Sequence, residues 1–432
     1  MTTSQHVIVV GAGPAGLSTA LGLAQQGVQV TVIDREPDVI GSPRAMVYLP
    51  STLKAMDSLG VLEEMRQIAA VGHEYNMRFK RSGRIGRMDH RLVADLTPYA
   101  YNLHFGQDLL AHLLLRHLLA LPGTAMRWNT TFESVQDRGS LVEVTVSSPE
   151  RGTELLQADY LVGADGARSS VRKALGVDFE GFTWPETFMA TNVYYDFAAH
   201  GFASSNMIGD PVDWAVIAKI DDKGLWRVAY GEDPSLSEDA RRARIPQRYA
   251  RLLPKLQVSY DITLANSYRV HQRSAKTYRV GRVLLAGDAA HATNPIGGMG
   301  FTSGVQDAML LISSLLAVLK GDAADDALDF YAYERRRCFL EIANPTAIEF
   351  KRRTQEADPQ RQQEDEDNFF RMMDNPEMMR GALMSVFALA GRPYQPDWRE
   401  VLLPADQART PAQGKVLLNG AEYTANIAGD VA

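Results

Sequence analysis

Residues 281–300 read GRVLLAGDAAHATNPIGGMG. An apolar strand (Val283, Leu284, Leu285, Ala286) runs into Gly287-Asp288, and a short polar passage, a glycine cluster and a long apolar helix follow. Gly-Asp alone carries no information. At the carboxyl end of a buried strand, ahead of a glycine-rich helix start, it makes a site for a polar, anionic, extended ligand. Asp288 can accept hydrogen bonds from sugar-like hydroxyls, and backbone N–H groups near residues 298–302 face negative charge with the helix dipole behind them.

The N-terminus supplies a matching half. Val7 to Val10 is fully apolar, as expected for a strand buried on both faces. GAGPAG follows (Gly11, Gly13, Gly16), then a helix through Leu17, Ala20, Leu21 and Ala24 closed by Gly27, then a strand from Val28 to Ile33 ending in Asp34. Strand, glycine turn, helix, strand, acid is the order of the dinucleotide-binding fingerprint. Gly11 permits the tight turn, Gly13 lets the backbone approach a pyrophosphate, and Gly16 lets the helix pack on the sheet. Asp34 is placed for ribose hydroxyls, and its charge disfavours a 2′-phosphate.

Composition narrows the classes. A chain of 432 residues can bury a large core and is expected to form two lobes. A net charge of −7 gives no reason to expect nucleic acid as a partner. The apolar stretch Ala308–Leu319 is short for a bilayer and holds two serines, so no membrane partner is expected. The first strand begins within a few residues, which leaves no room for a signal peptide. The one cysteine, Cys338 in YERRRCFLEI, excludes an intramolecular disulfide and reads as a packing residue; a cytoplasmic setting fits. His73, His90, His200 and His271 have no metal-ligand spacing, so no metal is expected.

A third motif lies between the first two. Tyr160 to Arg172 reads YLVGADGARSSVR: a strand, a turn at Asp165-Gly166, then Arg168, Ser169 and Arg172 opening a helix. Two basic residues there would suit phosphates or an electron-rich cofactor. From Phe182 to Tyr268 the texture changes to alternating β-type runs (189–197, 214–220, 226–230), expected to form an antiparallel sheet with one face over a ligand. Residues 351–368 are charged and Gln-rich, expected to be an exposed helix or linker.

GAGPAG, GADGARSSVR and GRVLLAGDAAH…GGMG, in this order and spacing, resemble the FAD-dependent aromatic hydroxylases, the single-component flavoprotein monooxygenases of the para-hydroxybenzoate hydroxylase and phenol hydroxylase type. The resemblance covers residues 5 to about 340, including YERRR after the last helix of the pattern. It implies an α/β fold: a Rossmann-like FAD-binding lobe (1–75, 97–181 and 270–340) interleaved with an antiparallel-sheet substrate lobe (76–96 and 182–269), and a helical C-terminal region (341–432) with an irregular tail. It implies no added thioredoxin-like domain and no separate nicotinamide domain, NADPH or NADH being a co-substrate.

Carried over position by position, the resemblance places Gly11, Gly13, Ala15, Gly16, Asp34 and Arg35 at the ADP part of FAD. It places Arg44 near the phosphates, Gln107 at the flavin chain, and Asp165 in a motif that touches both FAD and NAD(P)H. Gly287-Asp288 would hold the ribityl chain and pyrophosphate region. Pro295 would aim its carbonyl over the substrate, with Gly298, Met299 and Gly300 against the isoalloxazine ring. The implied reaction is NAD(P)H-consuming hydroxylation of a phenolic ring through a flavin hydroperoxide, with loss of a substituent if the attacked carbon bears a leaving group. A dimer is implied as well.

An ionised phenol needs a base or a cation beside its oxygen. Alternation puts Arg227 and Ala229 on one face of their strand, and separates Asn192, Tyr194 and Asp196 from Val193, Tyr195 and Phe197. Arg227 and either Tyr194 or Tyr195 are therefore the candidates. His291 is expected to be structural, bonding the backbone around the flavin loop. Other readings stay open: a halogenase or reductase on the same lobe, an oxidase of a non-aromatic substrate, or an FAD-binding sensor without turnover. The WxWxIP segment expected of a halogenase is absent.

Overall fold

A computed structural model describes residues 5–41, 45–253, 259–407, 415–418 and 421–424. The chain opens with β1 (His6–Val10), α1 (Pro14–Ala24) and β2 (Gln29–Ile33), then crosses to a second sheet for β3 (Glu74–Phe79) and β4 (Ile85–Asp89). It returns through α2 (Gln107–Leu119), β5 (Thr124–Arg127) and β6 (Tyr160–Gly163). The second sheet then takes β7 (Phe179–Tyr194), β8 (Ser205–Gly209), β9 (Ala215–Lys219) and β10 (Leu225–Glu232), the helix α3 (Ile245–Leu252), and β11 (Asp261–Ala275). The strands β12 (Arg279–Val280), β13 (Val283–Leu285) and β14 (His291–Ala292) lead into the helices α4 (Met299–Lys320), α5 (Asp326–Cys338), α6 (Asn344–Gln355), α7 (Pro359–Met373) and α8 (Pro376–Met384).

The first sheet runs β12-β13-β6-β1-β2-β5, parallel except for the β12–β13 pair. Val7, Ile8 and Val9 are fully buried at its centre, in one apolar cluster with Leu17 and Leu21 of the first helix and with Val142, Val144 and Val146 of a three-stranded antiparallel sheet (Thr131–Asp137, Val142–Ser148 and Gly152–Ala158). Two glycines close the first turn. Gly11 has φ +111°, and a Cβ there would sit 2.3 Å from the Ala164 carbonyl oxygen, where β1 and β6 end side by side. A Cβ on Gly16 would sit 2.1 Å from the Gly11 carbonyl, so only glycine lets α1 start this close to the strand.

The second sheet runs β14-β11-β7-β10-β9-β8-β3-β4, antiparallel apart from the β8–β3 pair. Period-two alternation sorts its faces. Val193, Trp226, Val228, Tyr230 and Ile217 pack with Ile245, Tyr249 and Leu252 of the α3 region in one apolar cluster. The opposite face carries Ala190, Val216, Ala218, Arg227 and Ala229 and looks into a cavity. The strands are longer than the alternating runs suggest, because β7 and β11 pair from Phe179↔Ala275 to Tyr194↔Asp261 and hold one another extended.

Two expectations change. The segment 351–368 is α6 and α7, and Lys351 is fully buried rather than exposed: it pairs with Glu186 and lies 4.0 Å over the Trp184 ring. Glu186 and Trp184 are over 160 positions away, so local composition cannot announce them. The tail carries a two-stranded hairpin, Lys415–Leu418 with Ala421–Thr424. Among the described residues one helix, α4, is long and apolar enough to cross a membrane by length and composition, but 67% of its most apolar window is buried in the core.

Gly16→Val tests the close approach of α1. Forcing a branched side chain against the Gly11 carbonyl is expected to cost about 1–3 kcal/mol, read as a lower melting temperature of the apoprotein. A wild-type midpoint would show that α1 can stand off.

Candidate active site

The two sheets and the C-terminal helices enclose a cavity of about 2050 Å³. Gly11, Gly13, Ala15, Asp34, Arg35, Gln107, Asp165, Gly287, Asp288, Pro295, Gly298, Met299, Gly300 and Arg227 all line it. Gly16 does not, since it packs the helix. Arg44 lies outside the described residues.

In the arm beside β1, nothing stands within 4 Å of where a Gly13 Cβ would be, so a side chain there would fill open cradle space. Asp34 braces the turn: its Oδ2 accepts from the Ala12 N–H at 2.7 Å and its Oδ1 from the Glu36 N–H at 3.0 Å. Those bonds leave other lone pairs for a hydroxyl. The Gln107 Oε1 accepts from the Ala45 N–H at 3.2 Å. Asp165 caps the short helix after β6, accepting from the Ser169 hydroxyl (2.5 Å) and from the Ser170 and Val171 N–H groups (2.6 and 3.2 Å). Of the two arginines assigned to phosphates, Arg168 is exposed and lines the cavity. Arg172 is buried and spent on the Ala289 and Ala167 carbonyls (2.7 and 2.9 Å), so it ties two loops together instead.

Asp288 stands exposed on a turn that is held from beneath. The Gly287 N–H donates to the Asp307 Oδ2 at 2.9 Å, and the His291 Nε2 lies 2.7 Å from the same oxygen. The Arg335 Nε donates to the Asp307 Oδ1 at 2.8 Å; Asp307, His291 and Arg335 are all fully buried. Burial alone would raise the Asp307 carboxyl, but His291 and Arg335 outweigh it and hold its pKa below the ordinary value. His291 therefore bonds a carboxylate, not the backbone. Residues 287 and 307 are twenty positions apart, and no spacing rule announced the contact.

The sheet forms the cavity floor. Register places Asn192, Arg227, Ala218, Ser205, Tyr75 and Met88 in one row across six strands. Ala190, Ala229, Val216, Met207 and Met77 form an apolar row beside it. Arg227 is 7% exposed, and its Nε and Nη2 both donate to the Asn192 Oδ1, at 3.0 and 2.9 Å. Burial lowers its pKa to about 10, with Tyr268 and Asp108 opposing the shift. Tyr268, on β11, also lines the cavity and is 39% exposed; partial desolvation raises its hydroxyl above the ordinary value, opposed by Arg227. Phe350, Phe369, Met372 and Val386 close the far side.

Neither tyrosine singled out from the sequence reaches this cavity. Tyr194 shares the Arg227 face but sits at the end of β7, outside the cavity lining. Tyr195 points to the opposite side and packs edge-on to Phe197 at 4.7 Å and flat on His200 at 5.3 Å. Tyr268 lines the cavity within electrostatic reach of Arg227, and nothing in the sequence distinguishes it among 16 tyrosines. Pro295 lines the cavity, but its carbonyl accepts from the Gly298 N–H at 3.1 Å and so closes the turn into α4. Among the described residues no group of three or more His, Cys, Asp or Glu could hold a metal ion.

The donor set fits FAD: an open glycine turn at a strand end, carboxylates at the ends of two parallel strands, and a helix N-terminus facing the same space. The model of the FAD binding domain family matches residues 4–344. The para-nitrophenol 4-monooxygenase of Pseudomonas sp. (strain WBC-3) is 43% identical over 394 residues, covering 91% of this chain and 98% of that protein. The 6-hydroxy-3-succinoylpyridine 3-monooxygenase of Pseudomonas putida (strain DSM 28022 / S16) is 39% identical over 80% of this chain and 88% of that protein. The crystal structure of p-nitrophenol 4-monooxygenase from Pseudomonas putida DLL-E4 matches with a TM-score of 0.87 at 42% identity, over 91% of this chain and 100% of that one.

Asp288→Ala is expected to give folded protein largely lacking FAD, and Asp307→Asn to weaken FAD binding about tenfold or more by loosening the turn. Fluorescence titration of the apoproteins with FAD checks both; a stoichiometric yellow Asp288→Ala protein would refute the role of that carboxylate.

Proposed function

The chain belongs to the FAD-dependent aromatic monooxygenases, and we propose that its substrate is a phenol whose attacked carbon bears a displaceable group, para-nitrophenol first among them. The observation that carries this reading is near full-length identity of 43% to a para-nitrophenol 4-monooxygenase, together with one buried arginine in an otherwise mostly uncharged floor. Bound FAD, reduced by NAD(P)H, supplies the activation of O₂. In the proposed assignment Gly11, Gly13, Ala15, Asp34, Arg35, Gln107, Asp165, Gly287 and Asp288 hold the cofactor's chain. Gly298, Met299 and Gly300 face its ring.

Arg227 and Tyr268 receive the ring oxygen. Arg227 remains a cation at neutral pH and Tyr268 remains a hydroxyl donor, so an ionised phenol oxygen finds a positive charge and a second donor. Ionisation makes the ring carbon para to that oxygen a better nucleophile, and the protein holds that state by charge instead of by a base. The apolar row Ala190–Ala229–Val216–Met207 accommodates a flat ring. An unsubstituted position is converted to C–OH, with two electrons from NAD(P)H and the second oxygen atom leaving as water. Where the attacked carbon carries a nitro group, the new C–O bond expels it as nitrite and leaves a quinone. The family resemblance adds a homodimer to this reading, and the single cysteine a cytoplasmic setting.

NAD(P)H oxidation and nitrite release with a panel of phenols under air test the proposal. Oxidation stimulated by para-nitrophenol with matching nitrite is expected; no stimulation by any phenol, with either nicotinamide, would sink it. Arg227→Ala is expected to raise the dissociation constant for para-nitrophenol about 10- to 100-fold, as loss of a charged hydrogen bond implies, and to affect un-ionised phenols much less. Equal losses across the panel would remove Arg227 from the oxygen site.

A further inference from the structure

Beneath the loop Thr293–Gly298, which borders the cavity between β14 and α4, lies a fully buried glutamine with an unusually complete set of partners. The Gln272 Oε1 accepts from the Trp184 Nε1 at 3.2 Å, from the Asn294 N–H at 3.0 Å and from the Asn294 Nδ2 at 3.3 Å. Its Nε2 donates to the Thr293 Oγ1 at 2.6 Å and to the Asn344 Oδ1 at 2.7 Å. One side chain on β11 thus reaches β7, two consecutive residues of the loop, and the start of α6.

The loop is gripped from the helix side too. The Asn294 Nδ2 donates to the Ala347 carbonyl at 3.0 Å, and the Ile296 N–H to the Asn294 Oδ1 at 3.1 Å. A Cβ on Gly297 would meet the Phe350 ring at 2.4 Å. Trp184, which bonds Gln272, carries the buried Lys351 over its ring, so α6 is tied to the same point twice. Ordinary loops run over the surface with water as partner; this one is fixed by buried amide groups.

We propose that Gln272 is a positioning residue that holds the Thr293–Gly298 loop in register with the substrate floor, and so decides how much activated oxygen enters the ring. This rests on the hydroxylase reading above. In the coupled route NAD(P)H, a proton and O₂ place one oxygen atom on the ring and the other in water. In the uncoupled route NAD(P)H + H⁺ + O₂ gives NAD(P)⁺ + H₂O₂, and the ring is untouched. A loop that shifts admits water and separates the ring from the reacting oxygen, which favours the second route.

The test compares Gln272→Leu, which removes all of these side-chain bonds at similar volume, with Gln272→Glu, which keeps the acceptor and loses the donor. Thr293→Val removes one bond only and serves if Gln272→Leu does not fold. Three readouts are taken: amide hydrogen exchange of residues 293–298 in the apoprotein, FAD content, and product and peroxide formed per NAD(P)H consumed with para-nitrophenol. Expected for Gln272→Leu are at least tenfold faster loop exchange, retained FAD, and a threefold or greater fall in product per NAD(P)H with peroxide making up the difference; Gln272→Glu and Thr293→Val lie between. Wild-type coupling in a folded, FAD-replete Gln272→Leu or Thr293→Val protein overturns the proposal, as does unchanged loop exchange. If wild-type protein oxidises no phenol, the hydroxylase reading fails while the exchange result still decides whether Gln272 holds the loop.

Discussion

The Asp307 carboxylate is the interaction on which the cofactor end of this molecule depends. A buried ion costs several kcal/mol in desolvation unless it is paired and fully hydrogen-bonded. Here it takes a backbone N–H and an imidazole on one oxygen and a guanidinium on the other. Arg335 carries the connection further, since its Nη1 donates to the Leu389 carbonyl at 2.6 Å and Leu389 lines the cavity. The turn that presents Asp288, the core helix α4, the helix α5 and the C-terminal wall are thereby joined through one anion. Replacing the cluster by apolar residues could preserve stability. It would leave the Gly287 N–H without its acceptor and free the turn to reorient.

A second clamp of opposite chemistry acts at the ring end. Around Gln272 every partner is neutral, and its reach is set by amide geometry, not by charge. The Gly287-Asp288 turn is fixed by an ion cluster in which the Arg335 cation balances the Asp307 anion. The Thr293–Gly298 loop is held by neutral amides, with the buried Lys351, paired with Glu186, one residue further out, over the Trp184 ring. Both clamps reach the C-terminal region, through Leu389 and through α6. That region is therefore structurally part of the active site, although its composition reads as surface.

Sequence legibility follows from how local each cause is. Gly11 and Gly16 are required by clashes with carbonyls at the strand ends, and strand–glycine–helix spacing reports that directly. The glycine cluster at 297–300 and Asp288 follow a strand end in the same kind of local pattern, and they line the cavity. The choice among tyrosines is not. Tyr194 and Tyr195 occupy opposite faces as alternation requires, but which face covers the cavity, and where β7 leaves it, depend on β10, β11 and α3. The pairing of β7 with β11 also shifts register between Asn192 and Val193 and between Thr183 and Thr187. Tyr268 and Arg227 stand on the two strands that flank β7. Lys351 and Gln272 share the difficulty: their meaning lies in partners from distant elements.

Charge placement explains why a readily ionised phenol suits this floor. Burial depresses the Arg227 pKa because the cation has lost water, and Asn192 returns hydrogen bonds but no charge. An anion arriving at the guanidinium reverses that penalty, and linkage requires the reverse effect on the ligand: its own pKa falls on binding. A nitro group on the ring lowers the phenol's pKa already in water, so less free energy is drawn from the site to ionise it. The same substituent withdraws electrons from the carbon to be attacked, which opposes oxygen transfer. Tyr268, a donor that stays protonated, keeps the oxygen's charge from being wholly fixed on the arginine. On the proposed assignment the pair thus balances two demands: enough charge stabilisation to select the phenolate, and enough charge left in the ring for it to react.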